Sequence, residues 1–160
     1  MASSVDVAGS PSSYGPSMTN QLRDHIPDTA TIDRLSTAFN RCFVDFEAPD
    51  DLFTDDAFFD LMPPLWRFQL VGGDAFVQQL RAIAEGPVTA DVLRVVPTAE
   101  GFLLEHQETQ QTSAGRMTAR RVWLCAVHDD RIAEVVGYCN GGWDDELRAR
   151  HAAEAPMVRP

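Results

Sequence analysis

Positive charge is scarce in this chain: Lys and Arg together number 13 against 24 Asp and Glu, a formal net charge of -11. The attraction that draws proteins to phosphate backbones or anionic membranes is missing, so neither nucleic acid nor a membrane surface is expected as a partner. Cysteine is also sparse. Cys42, Cys125 and Cys139 form no Cys-x-x-Cys pair and are odd in number, and no positively charged start leads into an apolar stretch of the kind that marks a signal peptide. A reducing cytoplasm is the expected location. No apolar run approaches the roughly 20 residues that a membrane-spanning helix needs. The patterns Gly-x-Gly-x-x-Gly, Gly-x-x-x-x-Gly-Lys-Ser and His-Glu-x-x-His are absent, so no nucleotide site or zinc helix is indicated. His106-x-Glu108 could offer two metal ligands from one strand face, but neither His128 nor His151 is placed to supply a third. No metal and no cofactor are expected. Strand cysteines are mostly buried and inert, which sets aside a nucleophilic role for Cys125 or Cys139.

What is present fits one domain with a single sizeable core: 160 residues, 44% hydrophobic. Residues 1–27, rich in Ser, Gly, Pro and Ala, read as a flexible arm. Residues 28–143 read as the folded domain, and 144–160 as a C-terminal helix or tail. The apolar stripe Ile32, Leu35, Phe39, Cys42, Phe43 and Phe46 predicts a first helix to about Asp45, with Asp28 and Thr29 as caps. Leu52–Asp56 leads into a short strand, 57–62, and after Pro63-Pro64 a second one runs over 65–71. Gly72-Gly73 opens a second helix with Phe76, Val77, Leu80, Ile83 and Ala84 on one side and Gly86-Pro87 as its stop. Four β-rich segments follow, 88–96, 101–111, 116–128 and 132–139, with turns at Ala114-Gly115 and Asp129-Asp130, an antiparallel meander. Helix-favouring residues over 143–155 end at Pro156.

This order, together with the phrase Leu-Phe-Thr-Asp-Asp-Ala-Phe-Phe-Asp at 52–60 and a last turn reading His-Asp-Asp-Arg-Ile-Ala-Glu at 128–134, resembles the nuclear transport factor 2-like superfamily. The resemblance spans roughly 29–143 and implies an α+β cone: a strongly curved antiparallel sheet packed on N-terminal helices and enclosing a pocket. The superfamily includes SnoaL-like polyketide cyclases, ketosteroid isomerase, scytalone dehydratase, limonene epoxide hydrolase and non-enzymatic dimer modules, so fold alone does not settle function. By the resemblance, Asp60 lies about one residue from the general base of ketosteroid isomerase. The Arg, Asp and last-strand Asp of limonene epoxide hydrolase correspond to His106, Glu108 and Gly137, a departure that argues against that epoxide-opening machinery.

Strand alternation puts Leu104, His106 and Glu108 on one face. A turn at Ala114-Gly115 would set Glu108 opposite Arg121 and His106 opposite Trp123, giving one face a base, a carboxylate, a cation and an aromatic wall. His106 is then the principal acid or base, Glu108 its orienting partner, Arg121 the stabiliser of oxyanion charge and Asp60 the second proton-transfer group. Trp66, Phe68, Trp123 and Tyr138 are candidate substrate walls. Each also has a plainer reading: Glu108–Arg121 as a solvated cross-strand pair, His106 as a structural histidine, Asp60 as a strand-end residue, the aromatics as core. A two-residue turn at Asp129-Asp130 brings Tyr138 to the pocket face, a three-residue turn Gly137 and Cys139. Trp143, Arg148 and His151 either close over the cone mouth or meet a second subunit. The expected activity is cofactor-independent acid–base catalysis (isomerase, cyclase or dehydratase) on an apolar oxygenated molecule such as a polyketide- or terpenoid-like intermediate. A non-catalytic ligand-binding or dimerisation module is the competing reading, epoxide hydrolysis a third. A homodimer is implied by the resemblance.

Overall fold

The computed structural model describes residues 26–113 and 115–155, so the expected N-terminal arm lies almost entirely outside the described residues. The elements run α1 (Thr29–Asp45), β1 (Phe53–Met62), β2 (Phe68–Val71), α2 (Gly73–Ile83), β3 (Val88–Pro97), β4 (Gly101–Thr112), β5 (Gly115–His128), β6 (Arg131–Cys139) and α3 (Asp145–Glu154). The strands form one curved, open sheet of order β2-β1-β6-β5-β4-β3. Neighbours are antiparallel except β1 and β6, which run parallel.

Local chemistry sets the helix ends. Asp28 caps α1 by accepting from the Thr31 amide at 2.8 Å, and Phe46 closes it in the left-handed region at φ 54°. Gly72, at φ 87°, turns the chain from β2 into α2 in a conformation that a side chain would resist. The buried stripe of α1 and Phe76, Val77 and Leu80 of α2 pack on the concave side of the sheet. The core there is largely aromatic. Phe59 and Phe76 stack at 4.6 Å, and Phe39 meets Phe43 and Trp123 edge-on at 5.4 and 5.6 Å. Helix α3 buries none of its residues.

The register of the sheet departs from expectation at the β4–β5 hairpin and decides between the two open registers at the last one. Thr112 pairs with Gly115, one residue earlier than a turn at Ala114-Gly115 would allow, so His106 stands opposite Arg121, Leu104 opposite Trp123 and Glu108 opposite Ala119. The pairing shifts by an even number, which leaves every side chain on its predicted face. In the last hairpin Asp129 and Asp130 both take positive φ, 49° and 58°, as a two-residue turn demands. His128 pairs with Arg131 accordingly, but Ala133 is then an extra residue in β6: Val127 faces Ile132 while Ala126 faces Glu134. That bulge brings Gly137 opposite Trp123 and Cys139 opposite Arg121. Tyr138 therefore does not share the face of Arg121; it is half-exposed on the other side.

Candidate active site

On the concave face, the row Leu61–Gly137–Trp123–Leu104 crosses the sheet beside the row Cys139–Arg121–His106. Trp123 fits because Gly137 has no side chain: a Cβ there would lie 2.3 Å from the indole. The ring is buried and donates its N–H to His106 Nε2 at 3.0 Å. His106 is fully buried, and its Nδ1 lies 2.7 Å from Asn40 Oδ1 of α1. Asn40 in turn donates from Nδ2 to the Ala90 carbonyl at 3.0 Å, which leaves its Oδ1 as acceptor and puts the imidazole proton on Nδ1. His106 Nε2 is then the acceptor that Trp123 uses. Sequence reasoning missed Asn40, a polar residue at the margin of an apolar helix stripe.

Glu108 stands beside this chain of bonds. Its Oε2 pairs with Arg121 Nη2 at 2.9 Å and its Oε1 is 3.1 Å from His106 Nε2. With the Nε2 lone pair turned to Trp123, Oε1 receives no proton from His106. Glu108 Oε1 and Arg121 Nε are both buried without a hydrogen-bond partner among the described residues, one acceptor and one donor in the same ion pair. The Arg121 guanidinium also lies 5.9 Å from the Trp123 ring centre, in cation–π range.

Arg121 and Trp123 open onto a cavity of about 250 Å³. Leu61, Phe68, Phe76, Leu80 and Ile83 give it apolar walls, Cys139 and Tyr138 border it, and Pro63, Pro64, Gly141 and Gly142 form its rim. Among the described residues, Arg121 is the only charged side chain in this lining. Of the predicted site residues, Arg121, Trp123 and Phe68 line the cavity, while Tyr138 borders it from β6 with its side chain on the other face, and His106 and Glu108 sit behind its wall, bonded to Trp123 and Arg121.

Two predicted residues do not join them. Asp60 pairs with Val136 and Gln69, one step from the Leu61–Gly137 row, so it points to the opposite, convex face. There it holds Arg67 in a two-pronged ion pair at 2.8 and 2.5 Å. The Arg67 hydrogen bonds keep the Asp60 carboxyl below its ordinary value; its desolvation acts the other way and loses. Apolar surroundings that would raise its pKa are not what it meets. Trp66 is 73% exposed: the turn in which its N–H donates to the Pro63 carbonyl, with Leu65 at φ 62°, throws the indole outward. Among the described residues no group of three or more His, Cys, Asp or Glu is placed to hold a metal ion, and no helix is long and apolar enough to cross a membrane.

No protein-family model and no curated protein matches the chain. Solved structures do. The chain is similar to an LEH-like epoxide hydrolase of M. tuberculosis (20% identity, TM-score 0.58, covering 82% of this chain and 100% of that one). It is also similar to an NTF2-like protein of Anabaena variabilis (13%, 0.59, 74% and 96%). A third is a protein of ketosteroid isomerase-like fold from Catenulispora acidiphila, solved in complex with trimethylamine (10%, 0.53, 65% and 83%). At these identities the likeness establishes the nuclear transport factor 2-like fold, as the order of sequence elements implied.

Proposed function

We propose that the chain is a cofactor-independent acid–base enzyme that binds an apolar, oxygenated small molecule, such as a polyketide- or terpenoid-like intermediate, in the concave cavity. The observation that carries this reading is the pairing of an unpartnered donor, Arg121 Nε–H, with an unpartnered acceptor, Glu108 Oε1, in one ion pair at an apolar cavity. A carbonyl group with an acidic neighbouring C–H offers the complement. Its oxygen accepts from Arg121, whose charge stabilises the enolate as it forms, and the proton passes to Glu108 Oε1, which stands behind Arg121 in the cavity wall and is reached when that side chain gives way. Returning that proton to another carbon is isomerisation; returning it to a β-hydroxyl, which leaves the enolate as water, is dehydration. Low local polarity strengthens both contacts. His106, whose Nδ1–H is donated to Asn40 Oδ1, is a positioning residue in this scheme: it fixes Trp123 and leaves Glu108 Oε1 without a donor.

The complete burial of His106 favours a second reading, a ligand-binding module without turnover. The two separate in one experiment: NMR detection of solvent deuterium entering the α-position of a panel of cyclic ketones. Exchange catalysed by the wild-type protein and abolished in Glu108→Gln supports the enzyme. Saturable binding with no exchange supports the module. Epoxide hydrolysis is the weaker option, because Gly137 stands where the resemblance places an Asp and the Trp123 ring fills the space a carboxylate would need. A homodimer is part of the proposal: Val96, Leu124 and Tyr138 are exposed on the convex face, an apolar surface suited to a second copy. Leu124→Arg should then yield monomers in sedimentation runs. A cytoplasmic setting suits the free thiols of Cys42, Cys125 and Cys139.

A further inference from the structure

The convex face carries a second depression, of about 570 Å³, where β4 and β5 run out beneath α3. Alternation builds its floor: Gln107, Thr109, Thr118 and Arg120 point outward between the inward residues His106, Glu108, Ala119 and Arg121. Trp143 forms a wall. Its backbone bonds to Thr118 in both directions at 2.7 and 2.9 Å, and its ring lies 5.0 Å from that of His151 on α3.

The charge here runs against that of the chain. The sequence has no lysine, its 13 cationic residues are all arginine, and the net charge is -11. Yet Arg116 and Arg148 share Asp145 at 3.1 and 3.7 Å, and Arg94 and Arg120 share Glu105 at 3.0 and 2.6 Å. Four guanidiniums thus meet two carboxylates. Two further acids stand close by, Asp144, which accepts from the Leu147 amide at 2.7 Å, and Asp91, across from Gln107 on the edge strand, so the excess is confined to the depression's own lining, which among the described residues holds Arg116, Arg120 and Arg148 and no acid. Neutral donors add to the excess. Asn140 Oδ1 accepts from the Arg120 amide at 2.8 Å, which leaves its NH₂ for a ligand. Meanwhile α3 has no buried residue and is tied to the sheet by polar contacts such as Arg148 to Thr118 Oγ1 at 3.2 Å.

We propose that this depression is a second binding site, distinct from the concave cavity, for a small aromatic anion: a flat ring against Trp143 carrying a phosphate or carboxylate held by the forks of Arg116, Arg120 and Arg148. Such a ligand supplies the negative charge that the lining of three arginines lacks and ties α3 to the sheet.

Phenyl phosphate is the probe, titrated into the full chain and followed by amide NMR shifts and tryptophan fluorescence. Saturable binding is expected, with shifts at Thr118, Trp143 and α3. Affinity should fall with added salt, and by about tenfold or more both in the double variant Arg116→Gln, Arg148→Gln and with neutral benzyl alcohol as ligand. Both replaced arginines sit in partly exposed pairs, which contribute little to stability, so the variant should fold. If circular dichroism shows that it has released α3, Arg120→Gln gives the same reading, since Glu105 keeps Arg94. No saturable binding at millimolar probe, affinity unchanged in the variants, or shifts centred on Gly137 and Cys139 of the concave cavity would each overturn the proposal.

Discussion

Replacing Gly137 by alanine is the sharpest test of how the concave face is assembled. The new methyl would stand 2.3 Å from Trp123 Cζ3, 2.6 Å from Cε3 and 3.1 Å from Leu61 Cδ2, so the indole must move. It has little room: Trp123 is 3% exposed, packed edge-on to Phe39 and Phe76 and tilted on Phe43, and bonded to His106. Overpacking a core of this kind costs about 1–3 kcal/mol, and losing the indole bond costs about 1 kcal/mol more. The alanine recovers less than about 1 kcal/mol through its better strand propensity. A net loss of about 2–3 kcal/mol should lower the urea midpoint by roughly 1–2 M for a domain of this size. The near-ultraviolet dichroism of Trp123 should fall with it. In a Trp123→Phe background the same alanine should cost much less, because the atoms it strikes are gone. Equal cost in both backgrounds, or an unchanged midpoint in the first, would refute this account of the packing.

Three further outcomes follow from other parts of the fold. Asn40→Ala strands the His106 Nδ1–H and removes the donor to Ala90, so urea denaturation should show a loss of about 1–3 kcal/mol, with no matching loss for an exposed α1 residue such as Thr37→Ala. Because Arg67 lowers the pKa of folded Asp60, the pair contributes stability above the carboxyl's unfolded value near 3.8 and loses it as pH falls through the folded value. The stability gap between wild type and Asp60→Asn should therefore close on acidification below about pH 4, and a gap independent of pH would contradict the pairing. Burial pushes the Cys42 thiol up to about 12 and raises that of Cys125 as well, whereas Cys139 borders the cavity. Iodoacetamide followed by intact-mass analysis should modify Cys139 first, and the other two only on unfolding.

Much of the scaffold was legible because its signals are local. The apolar stripe of α1, the paired glycines before α2 and the β-rich runs each declare one element and its inward side. The unreadable parts were long-range or a single residue wide. Nothing near Phe53 announces that it pairs in parallel with Ile132, so β1 starts earlier than expected. The β4–β5 turn lies one residue earlier than Ala114-Gly115 suggests, which moves partners along the strands but keeps His106, Glu108 and Arg121 on a common face. The bulge at Ala133 had the opposite effect and decided between Tyr138 and Gly137. Asp60 could have been placed from sequence. Ala57, Phe59 and Leu61 are the buried set of β1, and Asp60 falls between them. Its offset of about one residue from the base implied by the resemblance is, on a strand, a change of face.

That change of face bears on which chemistry the cone can hold. The resemblance supplied two routes to catalysis in this fold, a carboxylate base near the end of the first strand and an Arg–Asp–Asp set across the last ones. Here the first is turned outward and bound to Arg67, and the third member of the second is a glycine beneath an indole. Of the charged groups near the concave cavity among the described residues, only Glu108 and Arg121 combine an unpartnered polar atom with a place on the inner sheet face. If the protein performs acid–base chemistry there, the proton and the oxyanion must both be handled by that one pair. Glu108→Gln and Arg121→Gln should then each abolish turnover, whereas Asp60→Asn should leave the rate at neutral pH unchanged.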